Sequence, residues 1–287
     1  MRRSLSASRS VLASLPVVVS LLLAYGAVLL SLAHQWADDP NYSHGFFVPL
    51  MAAWLAWRRR DAFIAAPRRP SAAGLAVIVA GALLYLAGVL AAELFTTRLS
   101  LVVVVAGLVL ALEGGARLRV LAFPVGFLLL MIPLPYVLYY RLTFPLQIES
   151  SRLAAGFLTA TGLPVLRDGN VLHLEGYSLE VVTACSGLRS IMTLGTIGVF
   201  MMDFIRMPPA GAVLYVALMV PVAVTANVAR LVTTAGIASI AGPERAESFL
   251  HELSGLVLFV AGTVAMVLCA KGMQWIARAR SGSRSSW

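Results

Sequence analysis

Eight apolar runs, separated by short polar or basic turns, dominate the chain and leave few architectures open to it. They occupy residues 11–33, 46–57, 72–92, 99–112, 120–138, 186–204, a stretch from about 209 onward, and 253–275. A helix rises about 1.5 Å per residue, so a run of about 20 apolar residues matches the hydrocarbon core of a bilayer, about 30 Å thick. Such a helix also satisfies its own backbone hydrogen bonds where no water is present to do so. Only 12% of the residues are charged, about half the share of a soluble domain. The predicted fold class is therefore an all-α polytopic membrane protein: eight transmembrane helices in a single domain over residues 1–287.

The polar segments give this scheme an orientation. Residues 1–10 are basic and the run behind them resembles a secretion signal. That run is too long for one and lacks a clean small-residue cleavage site, so it is predicted to be an uncleaved first helix. With the N-terminus inside, fifteen of the 22 Lys and Arg residues fall on the cytoplasmic side and seven outside, the expected bias. The C-terminus is then cytoplasmic as well. The net charge of +9 follows this topology, with no aromatic-interleaved basic face, so no nucleic-acid partner is expected.

Within the third run, Gly74, Gly81 and Gly88 recur at heptad spacing and predict close approach of another helix. Pro124, Pro133 and Pro135 predict that the fifth run kinks or ends early. Residues 139–184 read as an outer, periplasmic segment. An interfacial helix over 139–161 is followed by turn signals at Asp168-Gly169-Asn170 and Glu175-Gly176-Tyr177, which predict a small extramembrane β-meander before the sixth helix.

Reactive chemistry gathers on that outer side. Cys185, in Ala184-Cys185-Ser186-Gly187-Leu188-Arg189-Ser190, precedes an apolar helical run. A thiol in the first turn of a helix meets unpaired N–H groups and the positive end of the dipole, which lower its pKa from about 8.5. Arg189, four residues on, adds positive charge to that face. The competing reading makes Cys185 a small packed hydrophobe. Cys269, the other cysteine, lies late in an apolar run and reads as packing; bilayer depth keeps the two from pairing. Arg230 sits at or just inside the outer end of the seventh span, with Asn227 three residues earlier to orient it. A snorkelling anchor is the alternative for Arg230. His251 opens the eighth span, and His44 in Tyr42-Ser43-His44-Gly45 competes with it as a base. A thiol, an imidazole and guanidinium groups at one membrane face are what cysteine acyl transfer requires. No metal-ligand spacing or cofactor motif is present in the sequence, so no metal and no cofactor are expected.

The cysteine stretch, Asn227-x-x-Arg230 and the downstream His251 resemble the signature of exosortases, the bacterial members of the exosortase/archaeosortase group. Ser43-His44-Gly45 with Val48-Pro49-Leu50 resembles the family's early motif. Gly162-Leu163-Pro164-Val165 with Arg167-Asp168-Gly169-Asn170 resembles the segment before its cysteine. The resemblance implies a cysteine protease or transpeptidase of the bacterial inner membrane, its active site facing the periplasm. Its substrates would be secreted proteins bearing a C-terminal sorting signal: a Pro-Glu-Pro-like motif, a transmembrane helix and a basic tail. Membrane lipid would surround it, and a lipid-linked or polysaccharide acceptor is one possible recipient of the acyl group. Carried over, Cys185 is the nucleophile, Arg230 its electrostatic partner and His251 the general acid/base. Arg189, Asn227, Ser186 and His44 are supporting or substrate-binding candidates. Two other classes stay open: a non-enzymatic transporter or scaffold subunit in exopolysaccharide export, and a thiol that accepts lipid or serves redox chemistry.

Overall fold

The computed structural model describes residues 2–181, 188–205, 209–242 and 249–282, with side chains outside 2–15, 18, 188–191, 209–210, 249–256, 258–259 and 276–282. Cys185 and Ser186 lie outside the described residues. Ten α-helices are present among the described residues, together with one small sheet, and the chain forms two compact units, Met1–Pro133 and Leu134–Trp287. Four helical segments are long and apolar enough to cross a membrane: Val19–Asp38, Ala73–Leu90, Leu94–Leu112 and Gly211–Ala241. A fifth is counted if Gly115–Met131 and Tyr136–Ala160 form one broken span. The protein is thus mainly helical and polytopic. Two of the expected spans are shorter as helices: α2 (Phe47–Arg58) has 12 residues and α8 (Leu188–Met202) has 15.

The first unit holds α1 (Arg2–Asp38), a 3-10 turn at Ser43–Phe46, α2, α3 (Arg60–Ala65), α4 (Ala73–Leu90), α5 (Leu94–Leu112) and α6 (Gly115–Phe127). The heptad glycines of α4 do what their spacing predicts. A Cβ on Gly74 would meet the Ala111 backbone, one on Gly81 the Val104 side chain, and one on Gly88 the Thr97 backbone and hydroxyl, all on α5. From α5, Gly107 answers against Ile78. Without side chains between them, the two backbones make the dispersion contacts that drive helix association in lipid.

The two ends of α5 differ in chemistry. At its C-terminal end Glu113 pairs with Arg117 and, at 3.2 Å, with Arg68, while Arg117 Nε donates to the Ala66 carbonyl. Arg59 lies over the Phe123 ring and Arg117 over the Phe63 ring. Several arginines expected on one membrane side therefore meet at one end of this unit. The opposite end of α5 begins five residues earlier than the apolar run at 99 indicated. Glu93 caps the helix by accepting from Phe95 N (3.0 Å) and Thr96 N (2.6 Å), an arrangement that satisfies two otherwise unpaired donors. Arg98 is thereby drawn inside the helix and buried, 3% exposed.

Proline ends α6 as expected. The helix passes Pro124, tightens to a 3-10 turn at Leu128–Met131 and stops where Ile132 turns extended, ahead of Pro133. In the second unit, α7 (Tyr136–Ala160) takes in nearly all of the stretch 139–161 expected to be helical and leads into β1 (Leu166–Asp168), β2 (Val171–Leu174) and β3 (Tyr177–Glu180). The sheet is an antiparallel meander in the order β1-β2-β3, as the turn residues predict. Gly169 (φ 58°) and Gly176 (φ 74°) occupy the left-handed conformations its two-residue turns demand. Leu172 stands opposite Leu179 in the register, and both are buried on one face. Then follow α8, α9 (Pro209–Ala241) and α10 (Phe249–Gly282).

Candidate active site

Helices α8, α9 and α10 pack together in the second unit, and their shared contacts fix a common level. Gly262 of α10 lets Leu194 of α8 come within 3.2 Å of where its Cβ would be, with Val222 of α9 at 3.9 Å. Farther along one direction, Val199 and Met202 of α8 meet Tyr215 and Met219 of α9 and Met266 and Ala270 of α10. So α8 and α10 run the same way and α9 runs against them. In the other direction lie Arg189, Arg230 and His251. At about 1.5 Å per residue, they sit about 8, 12 and 16 Å from the Leu194–Val222–Gly262 level. Three helix turns bearing the sequence-predicted cations and imidazole thus reach the same end of one bundle. Arg189 is in the first turn of α8 and His251 in the first turn of α10; their side chains lie outside the described residues.

Arg230 is described in full. Its Nη2 donates to Asn227 Oδ1 at 2.8 Å, one turn back on α9. Asn227 is buried, 2% exposed, and its Nδ2 has no hydrogen-bond partner among the described residues. The buried amide thus holds the guanidinium to one side of its helix. Helix α9 continues eleven residues past Arg230, to Ala241. Arg230 therefore stands within a continuous helix rather than at its last turn. The reason is local: Leu231 and Ala235 have a core of their own to bury in.

That core is the meander. Leu172, Leu179 and Val181 pack with Ala154 and Leu158 of α7 and with Leu231 and Ala235 of α9. Ser151 Oγ of α7 lies 3.0 Å from the Gly169 carbonyl, fastening the first turn to the helix. Asn170, read in the sequence only as a turn former, also holds Val181: its carbonyl accepts from Val181 N at 2.9 Å and its Nδ2 donates to Val181 O at 3.2 Å. Val181 stands four residues before Cys185 in sequence.

His44 belongs to the first unit. It is 8% exposed in the 3-10 turn, and its Nδ1 has no hydrogen-bond partner among the described residues. Burial pushes its imidazole below the ordinary histidine value, partly offset by backbone acceptors of Leu130 and Asn41. A neutral ring at neutral pH follows. Its neighbour Gly45 is there for space, since a Cβ would enter the Trp36 indole. Trp36 in turn donates to the Met131 carbonyl at 2.9 Å. Sequence reasoning missed the nearby polar tie in which Arg98 donates to Gln35 Oε1 and, at 3.0 Å, to Ser31 Oγ on α1. Its signal was a lone arginine at the border of an apolar run. Cys269 is a free thiol, partly buried. No group of three or more His, Cys, Asp or Glu fit to hold a metal exists among the described residues.

The family model described as transmembrane exosortase (Exosortase_EpsH) matches residues 36–268, well over half of the chain. The chain belongs to the transmembrane exosortase family. Searches of curated proteins and of solved structures returned no match. The match takes in both units of this exosortase, from Trp36 in α1 to Leu268 in α10, and so includes the Ser43-His44-Gly45 turn, the meander, Cys185, Arg230 and His251.

Proposed function

We propose that this exosortase is a membrane-embedded cysteine transpeptidase or protease that cleaves and sorts secreted proteins carrying a C-terminal Pro-Glu-Pro-like motif, transmembrane helix and basic tail. In this reading eight helices cross the bacterial inner membrane, both termini are cytoplasmic and the site faces the periplasm. The Cys185 thiolate attacks the scissile carbonyl, with the guanidinium of Arg230 stabilising either the thiolate or the oxyanion. The C–N bond breaks, the departing amine takes a proton from the His251 imidazolium, and a thioester remains. Water, or a lipid-linked or polysaccharide acceptor, then takes the acyl group while the imidazole accepts the acceptor's proton.

The observation that supports this reading best, given the family, is that the helix turns bearing Arg189, Arg230 and His251 lie toward the same end of one bundle. The chain from Val181 to Cys185 reaches at most about 14 Å, which bounds how far residue 185 can lie from Val181, in the core that also holds Leu231, next to Arg230. Arg189 is assigned to substrate binding, Asn227 to orienting Arg230, and Ser186 and His44 to supporting roles.

Co-expression with a tagged substrate bearing the three-part tail tests this. Cys185→Ala is expected to abolish processing and Cys269→Ala to leave it intact. Processing that survives Cys185→Ala overturns the enzymatic reading in favour of a transporter or scaffold subunit.

A further inference from the structure

The two faces of α2 have different fates. Val48, Ala52 and Leu55 are buried within the first unit. Phe47, Leu50, Trp54 and Trp57 are exposed, and at 3.6 residues per turn they share one narrow face of the helix. From Phe47 to Trp57 this stripe is about 15 Å long, at about 1.5 Å per residue. That is half the thickness of a bilayer's hydrocarbon core, the depth of one leaflet. Large apolar side chains gathered on one exposed face mark an interaction surface.

Positive charge crowns one end of the stripe. The guanidinium of Arg58 lies 5.0 Å from the centre of the Trp54 ring, and that of Arg60 lies 4.9 Å from the centre of the Trp57 ring. A cation held over a ring face is fixed in place without being neutralised, as it would be by a carboxylate. Seven arginines gather at this end of the unit, at 58, 59, 60, 68, 69, 117 and 119, against Asp61 and Glu113. Glu113 is committed to Arg68 and Arg117. Asp61 lies 3.7 Å from Arg60 Nε, but its side chain is 86% exposed and offsets that charge weakly. Ile64, one turn past Arg60 on α3, adds another exposed apolar side chain.

Each part of this surface matches a part of one kind of molecule. Indole rings settle at the headgroup level of a bilayer, and guanidinium groups bind phosphate through paired N–H···O bonds. A soluble anion or an acidic protein surface would be met by the charges alone, with no use for an apolar track one leaflet deep. We propose that the α2 stripe with Arg58 and Arg60 is a binding site for an anionic glycerophospholipid. Its phosphate rests on the two guanidinium groups, and an acyl chain lies along Trp57, Trp54, Leu50 and Phe47. The site is independent of the catalytic reading.

Lipid-selective quenching tests it. The full-length protein is reconstituted in phosphatidylcholine vesicles with rising fractions of phosphatidylglycerol whose acyl chains carry bromine, which quenches tryptophan fluorescence on contact. Brominated phosphatidylcholine is the reference. The protein is expected to prefer phosphatidylglycerol about tenfold in physiological salt. Arg58→Gln with Arg60→Gln is expected to bring that ratio down to about one. Arg69→Gln with Arg119→Gln removes equal charge from the same end without touching either ring pair, and is expected to keep most of the preference. Trp54→Phe with Trp57→Phe, which deletes the reporters, is expected to remove most of the selective quenching. Equal quenching of the parent by the two lipids would overturn the proposal. So would a preference that survives Arg58→Gln with Arg60→Gln, or one that falls equally in both arginine pairs and so reflects diffuse charge.

Discussion

Val181 and Leu231 are packed in one core, the first four residues ahead of Cys185 and the second directly after Arg230. Forty-nine residues of chain separate them, including α8 and most of α9. The meander is what brings them together. Its buried pair, Leu172 and Leu179, gives the sheet one apolar face, and that face covers the part of α9 beyond Arg230. A small sheet beside the helices thus ties Val181 to Leu231 through hydrophobic burial.

The glycine seam of α4 predicts a sharp difference between two glycine substitutions. Gly81→Val places atoms where the Val104 side chain of α5 already sits, so the helices must separate. Overpacking of this kind costs about 1–3 kcal/mol. Gly26→Ala in α1 meets nothing within 4 Å and is expected to be silent. Thermal unfolding in detergent distinguishes them, and an equal effect of the two would discard the seam as a packing device.

Arg98 ties α5 to α1 from a position that is 3% exposed. Arg98→Ala leaves a cavity and strands Gln35 Oε1 and Ser31 Oγ without their donor, at a cost of about 2–4 kcal/mol. The double variant Arg98→Met with Gln35→Leu removes both members of a bonded pair and is expected to cost less than the sum of the single changes. Strict additivity in equilibrium unfolding would show that the two side chains do not interact.

His44 makes stability depend on pH in a stated direction. Burial lowers its folded-state value, so the unfolded chain binds the proton more readily. Its contribution is fully present above the ordinary histidine value of about 6.5 and declines as pH falls from there towards the lower folded value. His44→Gln is expected to flatten this part of the stability curve. Unfolding of both proteins between pH 8 and 5 measures the difference, and parallel curves would count against the burial argument.

The substitution Arg230→Gln is expected to reduce processing about 10²–10³-fold, as loss of a charged transition-state donor does. Arg230→Lys is expected to recover little, because an ammonium cannot reproduce the planar fork that Asn227 orients. A lysine variant with full activity would reduce Arg230 to a bare positive charge.

Much of this protein was legible in one dimension. Bilayer thickness converts long apolar runs into helices, so α1, α4, α5 and α9 could be read from hydropathy. Left-handed glycines and paired turn residues made the meander readable, and Pro133 marked the end of α6. The Asn227–Arg230 pair is a local consequence of helical spacing. By contrast, the α5 boundary was misjudged because hydropathy ignores capping, and Glu93 starts the helix before the apolar run begins.

Sequence alone determined which segments are helical, where the chain turns and which residue types carry reactive groups, because those follow from neighbours a few positions apart. Only the tertiary structure decided that Gly74, Gly81 and Gly88 face α5, that Arg98 is spent on α1, and that Asn170 clamps Val181 beside Leu231. Each of these joins parts of the chain that no periodicity relates. They are settled by which surfaces exclude one another's solvent or lipid, a property of the packed molecule and not of any single stretch of it.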